Sequence, residues 1–392
     1  MKDVNCALEI NSSSYSIVIV ETGRKVLAVK RASFNFDISS LSLVDEVLLN
    51  YLRQMMKELK QEYEFRIKNL NVCLSSYHVD IVPASAEIIL HPYHQRDVRK
   101  KDIENLIEQS RLLRIDWDRS VLHSLPLEFY LDDRRFLEAP IGVYGRKFRT
   151  KSIFCIVNRN IMEEIETLAD RLSLELGKVV FYPLALMSIF VLPDSEGDFL
   201  LVRMRRYRTD MAVFIEKSLV YAGYIPIGGE YIDRELAEGL GIPMSLAEEI
   251  KIEYGALTAE DLEDGREVIV KKVSSYRKIK RSRLNQILLA SFRNILGSIK
   301  SNIPDEFRSR LSKVIFVGSS ISLKGLANVV ENELELSWQP VSLLREDYQK
   351  LPPSFWGGIG SFYFNNSDFN RQKIATGLNF WQKIVNMWDN YF

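Results

Sequence analysis

The chain has few of the residues that build disulfide and metal sites. Cysteine occurs only at Cys6, Cys73 and Cys155, which are far apart, odd in number and without metal-ligand spacing. Neither a disulfide framework nor a zinc site is expected from that pattern. Each cysteine sits among apolar residues, which suits buried free thiols in a reducing compartment. The histidines, His78, His91, His94 and His123, offer one close pair, His91 and His94 around Pro92, with nothing nearby to complete a metal site. Net charge is also absent: 52 basic residues balance 52 acidic ones, so no general affinity for nucleic acid is expected and any charged partner must be read by a local patch. No stretch approaches the ~20 apolar residues that span a bilayer. The N-terminus lacks the apolar run behind a basic start that marks a signal peptide. What remains is globular in composition, with 46% hydrophobic and 27% charged residues, and long enough to call for more than one domain.

Along the chain, Val4–Val20 alternates around a serine-rich centre and turns near Glu21-Thr22-Gly23 into Lys25–Arg31, a hairpin pattern. Leu43–Phe65 has helical spacing, with Val44, Val47, Leu48, Tyr51, Leu52, Met55 and Leu59 on one side, and Asn69–Leu74 reads as a strand. From Pro83 the texture changes. Strand-like Glu87–Leu90, helical Val98–Leu113, and strand-like Ser120–Tyr130, Ile141–Phe148 and Ser152–Val157 make a compact α+β insert. A second helix is expected over Ile161–Leu176, leading through Val179–Val191 to a break at Pro193–Gly197. Phe199–Val202, Asp210–Ile215 and Ser218–Ile225 then repeat the opening, which suggests an internal duplication. Helical patterns follow at Glu230–Glu238, Ser245–Tyr254 and Arg283–Ile299. The strand Val314–Val317 runs into a helix over Leu323–Glu333, and the fold is expected to end near Trp356–Gly360.

After a polar linker the chain closes on an amphipathic segment. On a helical wheel, Phe380, Trp381, Ile384, Val385, Met387, Trp388, Tyr391 and Phe392 fill an apolar arc about 160° wide, and Gln382, Lys383, Asn386, Asp389 and Asn390 take the other side. A helix packed on the protein body would need the same stripe. The terminal position, the linker and the aromatic face favour the headgroup boundary of a membrane, where rings sit half buried. Lys383 and Asp389 cancel, so one such helix binds reversibly and several copies are needed for firm attachment.

Four segments resemble one family. Ile225-Pro-Ile-Gly-Gly-Glu-Tyr-Ile-Asp233, Gly239-Leu-Gly-Ile-Pro243 and Ala247-Glu-Glu-Ile-Lys-Ile-Glu-Tyr-Gly255 look like the second-half segment of FtsA, the actin-like bacterial cell-division protein. Val121–Asp132 with Pro140–Gly145 resembles the insert that distinguishes FtsA from actin, Val314–Gly325 its adenosine-motif strand and helix, and the aromatic C-terminal helix its tail. The resemblance runs over essentially the whole chain in order. It implies an α/β fold of the Hsp70/actin/sugar-kinase superfamily, with two lobes about a nucleotide cleft. The first lobe would take 1–82 and 161–192, with the insert at 83–160. The second would take 193–224 and 301–364, with an outer subdomain at 225–300. A linker over 365–378 and a membrane helix over 379–392 complete the expected plan. The family's partners would then be membrane lipid at the inner face, the C-terminal peptide of the tubulin-like protein FtsZ, further subunits in a filament, and other division proteins.

The cleft departs from that family. Actin-like phosphate loops open with Asp and continue with glycines, so that backbone N–H groups reach the phosphates and carboxylates hold Mg²⁺ through water. The first loop here, Glu9-Ile10-Asn11-Ser12-Ser13-Ser14, keeps a carboxylate and hydroxyls without the glycine. In the second, Arg203-Met204-Arg205-Arg206-Tyr207-Arg208-Thr209-Asp210, an arginine replaces the Asp and long side chains replace the glycines. Gly318 is kept, but Ser319 and Ser320 replace glycines. Gly228, Gly229, Glu248 and Lys251 still match the family's pocket. Two readings compete. The arginines bind phosphate or another anion by charge-assisted hydrogen bonds, or they fill a cleft that has lost nucleotide and pair with carboxylates such as Glu9. The lost carboxylate and glycines favour the second, with no catalytic residue, no metal and no ATP turnover expected. A separate cluster, Arg277, Lys278, Lys280, Arg281 and Arg283, reads on composition as a solvated loop and helix start. By resemblance it lies where FtsA receives the acidic FtsZ peptide. The expected function is a membrane tether for a division filament. Competing expectations are a PilM-like scaffold of type IV pilus assembly and an actin-like ATPase.

Overall fold

The computed structural model describes residues 2–21, 25–38, 41–63, 65–191, 197–272, 275–318 and 322–365. The expected C-terminal helix over 379–392 and the pair Ser319 and Ser320 lie outside them. The first half opens with β1 (Lys2–Ile10), β2 (Ser14–Val20), β3 (Val26–Ser33), α1 (Glu46–Tyr63) and β4 (Phe65–Leu74). The insert comprises β5 (Val79–Ile89), β6 (Arg96–Asp97), α2 (Lys100–Leu112), β7 (Arg119–Leu131), β8 (Arg134–Phe136), β9 (Tyr144–Gly145) and β10 (Lys147–Asn158). The first half resumes with α3 (Arg159–Arg171), β11 (Glu175–Phe181) and α4 (Tyr182–Met187). The second half contains β12 (Asp198–Met204), β13 (Thr209–Ile215), β14 (Ser218–Ile225), α5 (Gly229–Leu240), α6 (Met244–Tyr254), α7 (Ala259–Leu262), β15 (Glu267–Lys272) and β16 (Ser275–Lys280). It ends with α8 (Arg281–Asn302), α9 (Asp305–Arg308), β17 (Leu311–Val317), α10 (Leu326–Leu334), β18 (Ser337–Trp338), α11 (Glu346–Gln349) and α12 (Trp356–Tyr363).

The two main sheets share one topology. The first runs β3-β2-β1-β4-β11 and the second β14-β13-β12-β17-β18. In each, an antiparallel meander of three strands is extended by two parallel strands. Helices cover these sheets, so β2 and β13 are buried along their whole length. One hydrophobic core fills the first half and continues onto one face of the second sheet through Phe199, Leu201, Phe214 and Ile315, and a second core lies on that sheet's other face. The insert folds as a third sheet, β5-β10-β7-β8, with α2 packed on it. All three cysteines are buried free thiols, as their apolar neighbours implied.

Several elements differ from the expectation. On α1 the buried stripe is Leu48, Leu49, Leu52, Met55, Met56 and Leu59, whereas Val47 and Tyr51 face solvent. The i, i+3, i+4 set that includes Leu49 and Met56 is wholly aliphatic, and it seats against the sheet instead of the tyrosine face. The two strands expected at Ile141–Phe148 and Ser152–Val157 are one strand, β10, because polar Arg149 and Lys151 point out of a sheet whose other face is buried. The helix expected to reach Leu176 stops at Arg171; Ser173 turns the chain with φ of 55°, and Leu176 pairs with Leu70 in the sheet. The basic run taken as a loop is a strand, β16, paired with β15, followed directly by α8.

The glycine-rich Trp356–Gly360 forms a helix buried in the first-half core, although it follows the whole second half in sequence. Glycine is a poor helix former, and its value here is access. A Cβ on Gly360 would lie 2.0 Å from the Ala185 carbonyl oxygen of α4, so α12 touches α4 backbone to backbone. Gly360→Val is therefore expected to lower stability by about 1–3 kcal/mol through overpacking, read as a reduced urea midpoint with an unchanged m-value.

Candidate functional site

The first loop follows β1 and the second follows β12, and the shared topology brings them face to face. Glu9 and Arg203 are the penultimate residues of those strands, Asn11 and Arg205 the first residues beyond them. Each pair is separated by 194 residues. Equivalent positions of the two repeats thus touch across the lobe boundary. Glu9 Oε1 accepts a hydrogen bond from Arg203 Nη2, with both side chains about 95% or more buried. The other oxygen, Oε2, accepts from the Gly358 N–H at the start of α12, 3.2 Å away. Arg205 Nη1 donates to Asn11 Oδ1 at 2.8 Å and ion-pairs with Asp210 at 2.7 Å. The Arg203 guanidinium stacks 3.5 Å above the Tyr182 ring, and Arg208 lies 3.8 Å above Tyr77 while pairing with Asp37 at 2.9 Å. Apart from the Arg205–Asp210 pair, which lies within the second half, these contacts join segments of the first half to segments of the second.

Electrostatics follow from burial. Desolvation opposes the Arg203 charge, but Glu9, Tyr182 and Asp210 together hold its pKa above the usual guanidinium value. At Arg205 desolvation wins over Asp210, and the pKa is lowered. His78, buried beside Arg205 and Arg208, is pushed down to about 4, chiefly by burial, and stays neutral at physiological pH. Burial likewise raises the Tyr182 hydroxyl well above its normal range.

The second loop also occupies ground that a ligand would need. Arg205 and Arg206 present their carbonyls to the first N–H groups of α5, at Gly229 and Glu230, 2.8 Å each. That helix N-terminus is capped by the protein's own backbone. Gly228 permits the contact, since a Cβ there would fall 2.2 Å from the Arg205 carbonyl oxygen. Thr209 Oγ1 donates to the Ile227 carbonyl at 2.8 Å and fixes the same turn. A magnesium ion is not suited by this donor set: Glu9 and Asp210 are committed to guanidinium groups, and a cation would face Arg203 and Arg205.

A cleft of about 490 Å³ nevertheless remains between the lobes. Asn11, Ser13, Arg203, Arg205, Arg206, Gly229, Glu248, Lys251 and Gly318 border it, and Lys251 pairs with Asp233. Ser12 is buried beside it with its hydroxyl unpartnered. The residues that the sequence did not single out are Arg31, Tyr182 and Gly358. Asp210, already quoted at the end of the second loop, stands directly across the β-ladder from Arg203.

The basic patch is less one-sided in space than in sequence. Glu267 stands across the ladder from Lys280 and ion-pairs with Lys278 at 3.2 Å. Arg281 is a structural residue: it bonds Asp264 at 3.2 Å and the Tyr254 carbonyl at 3.0 Å. Lys280 and Arg283 are exposed, and the Arg277 side chain lies outside the description.

Two lobes of one topology, closing on a cleft at the ends of their first strands, define an actin-like protein. The PilM–PilN type IV pilus biogenesis complex contains a chain of similar fold, with a TM-score of 0.59 at 15% identity, covering 91% of this chain and 96% of that one. MreB5 of Spiroplasma citri bound to ADP gives a TM-score of 0.52 at 10% identity, covering 95% and 98%. Two family models match in sequence, "Cell division protein FtsA" over residues 207–353 and "SHS2 domain inserted in FTSA" over residues 77–154. FtsA of Escherichia coli strain K12 is 21% identical over 345 residues, covering 82% of this chain and 81% of that protein. FtsA of Pseudomonas aeruginosa is 23% identical over 305 residues, covering 76% and 71%. The chain belongs to the FtsA family, and a role in cell division follows from that membership.

Breaking the buried pair from one side should be costly. Arg203→Met leaves Glu9 buried and uncompensated, with an expected loss of about 3–5 kcal/mol. Adding Glu9→Gln should recover most of it, a coupling that a double-mutant cycle in urea would measure.

Proposed function

We propose that this chain tethers a division filament to the inner face of the cell membrane at the division site, acting by binding and self-association without turning over ATP. The observation that carries this reading is the Glu9–Arg203 pair. A guanidinium stands where a magnesium-binding carboxylate would be needed, and it takes the remaining carboxylate as its partner. Glycine-free loops filled by Arg205, Arg206 and Arg208 support the same conclusion. Attachment is assigned to the aromatic C-terminal segment, Phe380–Phe392, and the acidic C-terminal peptide of an FtsZ-like partner to the exposed cations of β16 and α8. Among the described residues, no helix is long and apolar enough to cross a membrane.

The likeness to PilM supports a second reading, an inner-membrane scaffold in pilus assembly, but it rests on fold alone. The sequence match of residues 77–154 to the FtsA insert favours the division role. In cells, a version ending at Lys373 should lose membrane and mid-cell signal together, and unchanged localisation would return the tail to a packing role. Reversing Arg277, Lys278 and Lys280 to Glu should abolish binding of the acidic peptide in a fluorescence-polarisation titration; unchanged affinity would remove the patch from the interface.

A further inference from the structure

Away from the cleft, one stretch of the insert exposes large apolar side chains in close succession. Leu112 and Leu113 close α2, Trp117 lies before the start of β7, and they are 66%, 69% and 83% exposed. Single exposed apolar residues are ordinary on a protein surface, but a group of them marks a contact site. The core at this end is incompletely covered, with Ile107, Ile115 and Val121 only half-buried around Phe154 and Ile156. At the other end of the insert, Tyr93 and Tyr144 are also exposed, but they carry hydroxyls and the core there is closed. The described chain ends within reach of the first group. The Phe364 ring lies 4.6 Å from the His123 ring on β7. Trp117 precedes His123 by six residues, which places it at most about 22 Å from that histidine and about 35 Å from Phe364. Sixteen residues lead from Phe364 to Phe380, a length that reaches about 50 Å extended and about 20 Å as a coil. The segment Phe380–Phe392 lies outside the described residues, and its sequence places eight apolar side chains on one side of a helical wheel.

We propose that, away from lipid, the apolar face of Phe380–Phe392 docks on Leu112, Leu113 and Trp117 of its own chain, so that the insert and the membrane compete for the same side chains. Removal of apolar surface from water drives both events, and one face cannot be buried twice. A segment tethered by a linker of matching span meets its site at an effective concentration of about millimolar, so even a small apolar contact is well occupied. Only the undocked fraction is open to lipid, and the apparent vesicle affinity falls in proportion to it. A lone subunit thus keeps its aromatic segment covered. Subunits gathered at a membrane release it, because many weak insertions act together there. Docking does not depend on the tether reading, whereas its consequence for attachment rests on it.

Docking is tested without lipid by hydrogen–deuterium exchange. A version ending at Lys373 should take up more deuterium over residues 108–121 than the full chain, with no change around Tyr93 and Tyr144, and the difference should persist on dilution. Its consequence is tested by flotation of the full chain with vesicles of phosphatidylethanolamine and phosphatidylglycerol. The triple variant Leu112→Ser, Leu113→Ser, Trp117→Ser should bind about tenfold more tightly than the parent, the gain from freeing a segment that is docked about nine-tenths of the time. Tyr93→Ser should match the parent. The three substituted side chains are exposed, so the triple variant should keep the parent's thermal midpoint. A patch that itself touched lipid would give the opposite sign, weaker binding in the variant. Equal exchange in the two versions, a difference that vanishes on dilution and so reports docking between copies, or vesicle affinity unchanged or weakened in the triple variant would each overturn the proposal. If neither parent nor variant binds vesicles, the tether reading fails and the exchange comparison alone decides docking.

Discussion

One buried ion pair sets the relation between the two halves. Glu9 and Arg203 come from the ends of the leading strands of two like-folded sheets, and both side chains are buried. Removing two charges from solvent is expensive, and their mutual attraction offsets that cost only while the geometry holds. The lobes are thus held together wherever the chain is folded. Around this point the other contacts assemble: Arg205 on Asn11 and Asp210, Arg203 on the Tyr182 ring, Arg208 on Tyr77, and the Gly358 N–H on the second oxygen of Glu9. Side chains from the protein take positions that, in a magnesium-dependent relative of this fold, ligand and ion would occupy.

The duplication explains how such a pair can arise. Residues at equivalent positions of two repeats face one another across the boundary, so a change of charge sign at one creates the partner for the other. The same loop then uses its backbone differently. With Gly228 beneath it, the Arg205–Arg206 turn lays its carbonyls on the N-terminus of α5, and the helix dipole is satisfied internally.

Much of this was legible from residue pattern. The repeated strand-pair opening, the insert, and the replacement of a carboxylate by Arg203 all lie in local sequence, and the fold keeps each. What was hidden depends on contacts distant in sequence. The three glycines and the Trp of α12 resemble a chain end until α4 and β1 are placed against them. The run from Tyr276 to Arg283 looks uniformly basic until β15 sets Glu267 across the ladder. Arg31 carried no local signal, because its place at the cleft depends on Glu9 and Arg203, which lie far from it in sequence.

The described chain ends on the first half: Lys178 Nζ donates to the Phe364 carbonyl at 2.6 Å, and the His123 ring meets the Phe364 ring edge-on. The β15–β16 hairpin belongs to the second half. A pull applied between whatever holds the C-terminal segment and whatever holds that hairpin must therefore run through the lobe boundary. In a protein closed by an exchangeable ligand, that boundary would slacken whenever the ligand left. Here side chains fasten it as well, so tension between those two points passes through the Glu9–Arg203 pair and its neighbours.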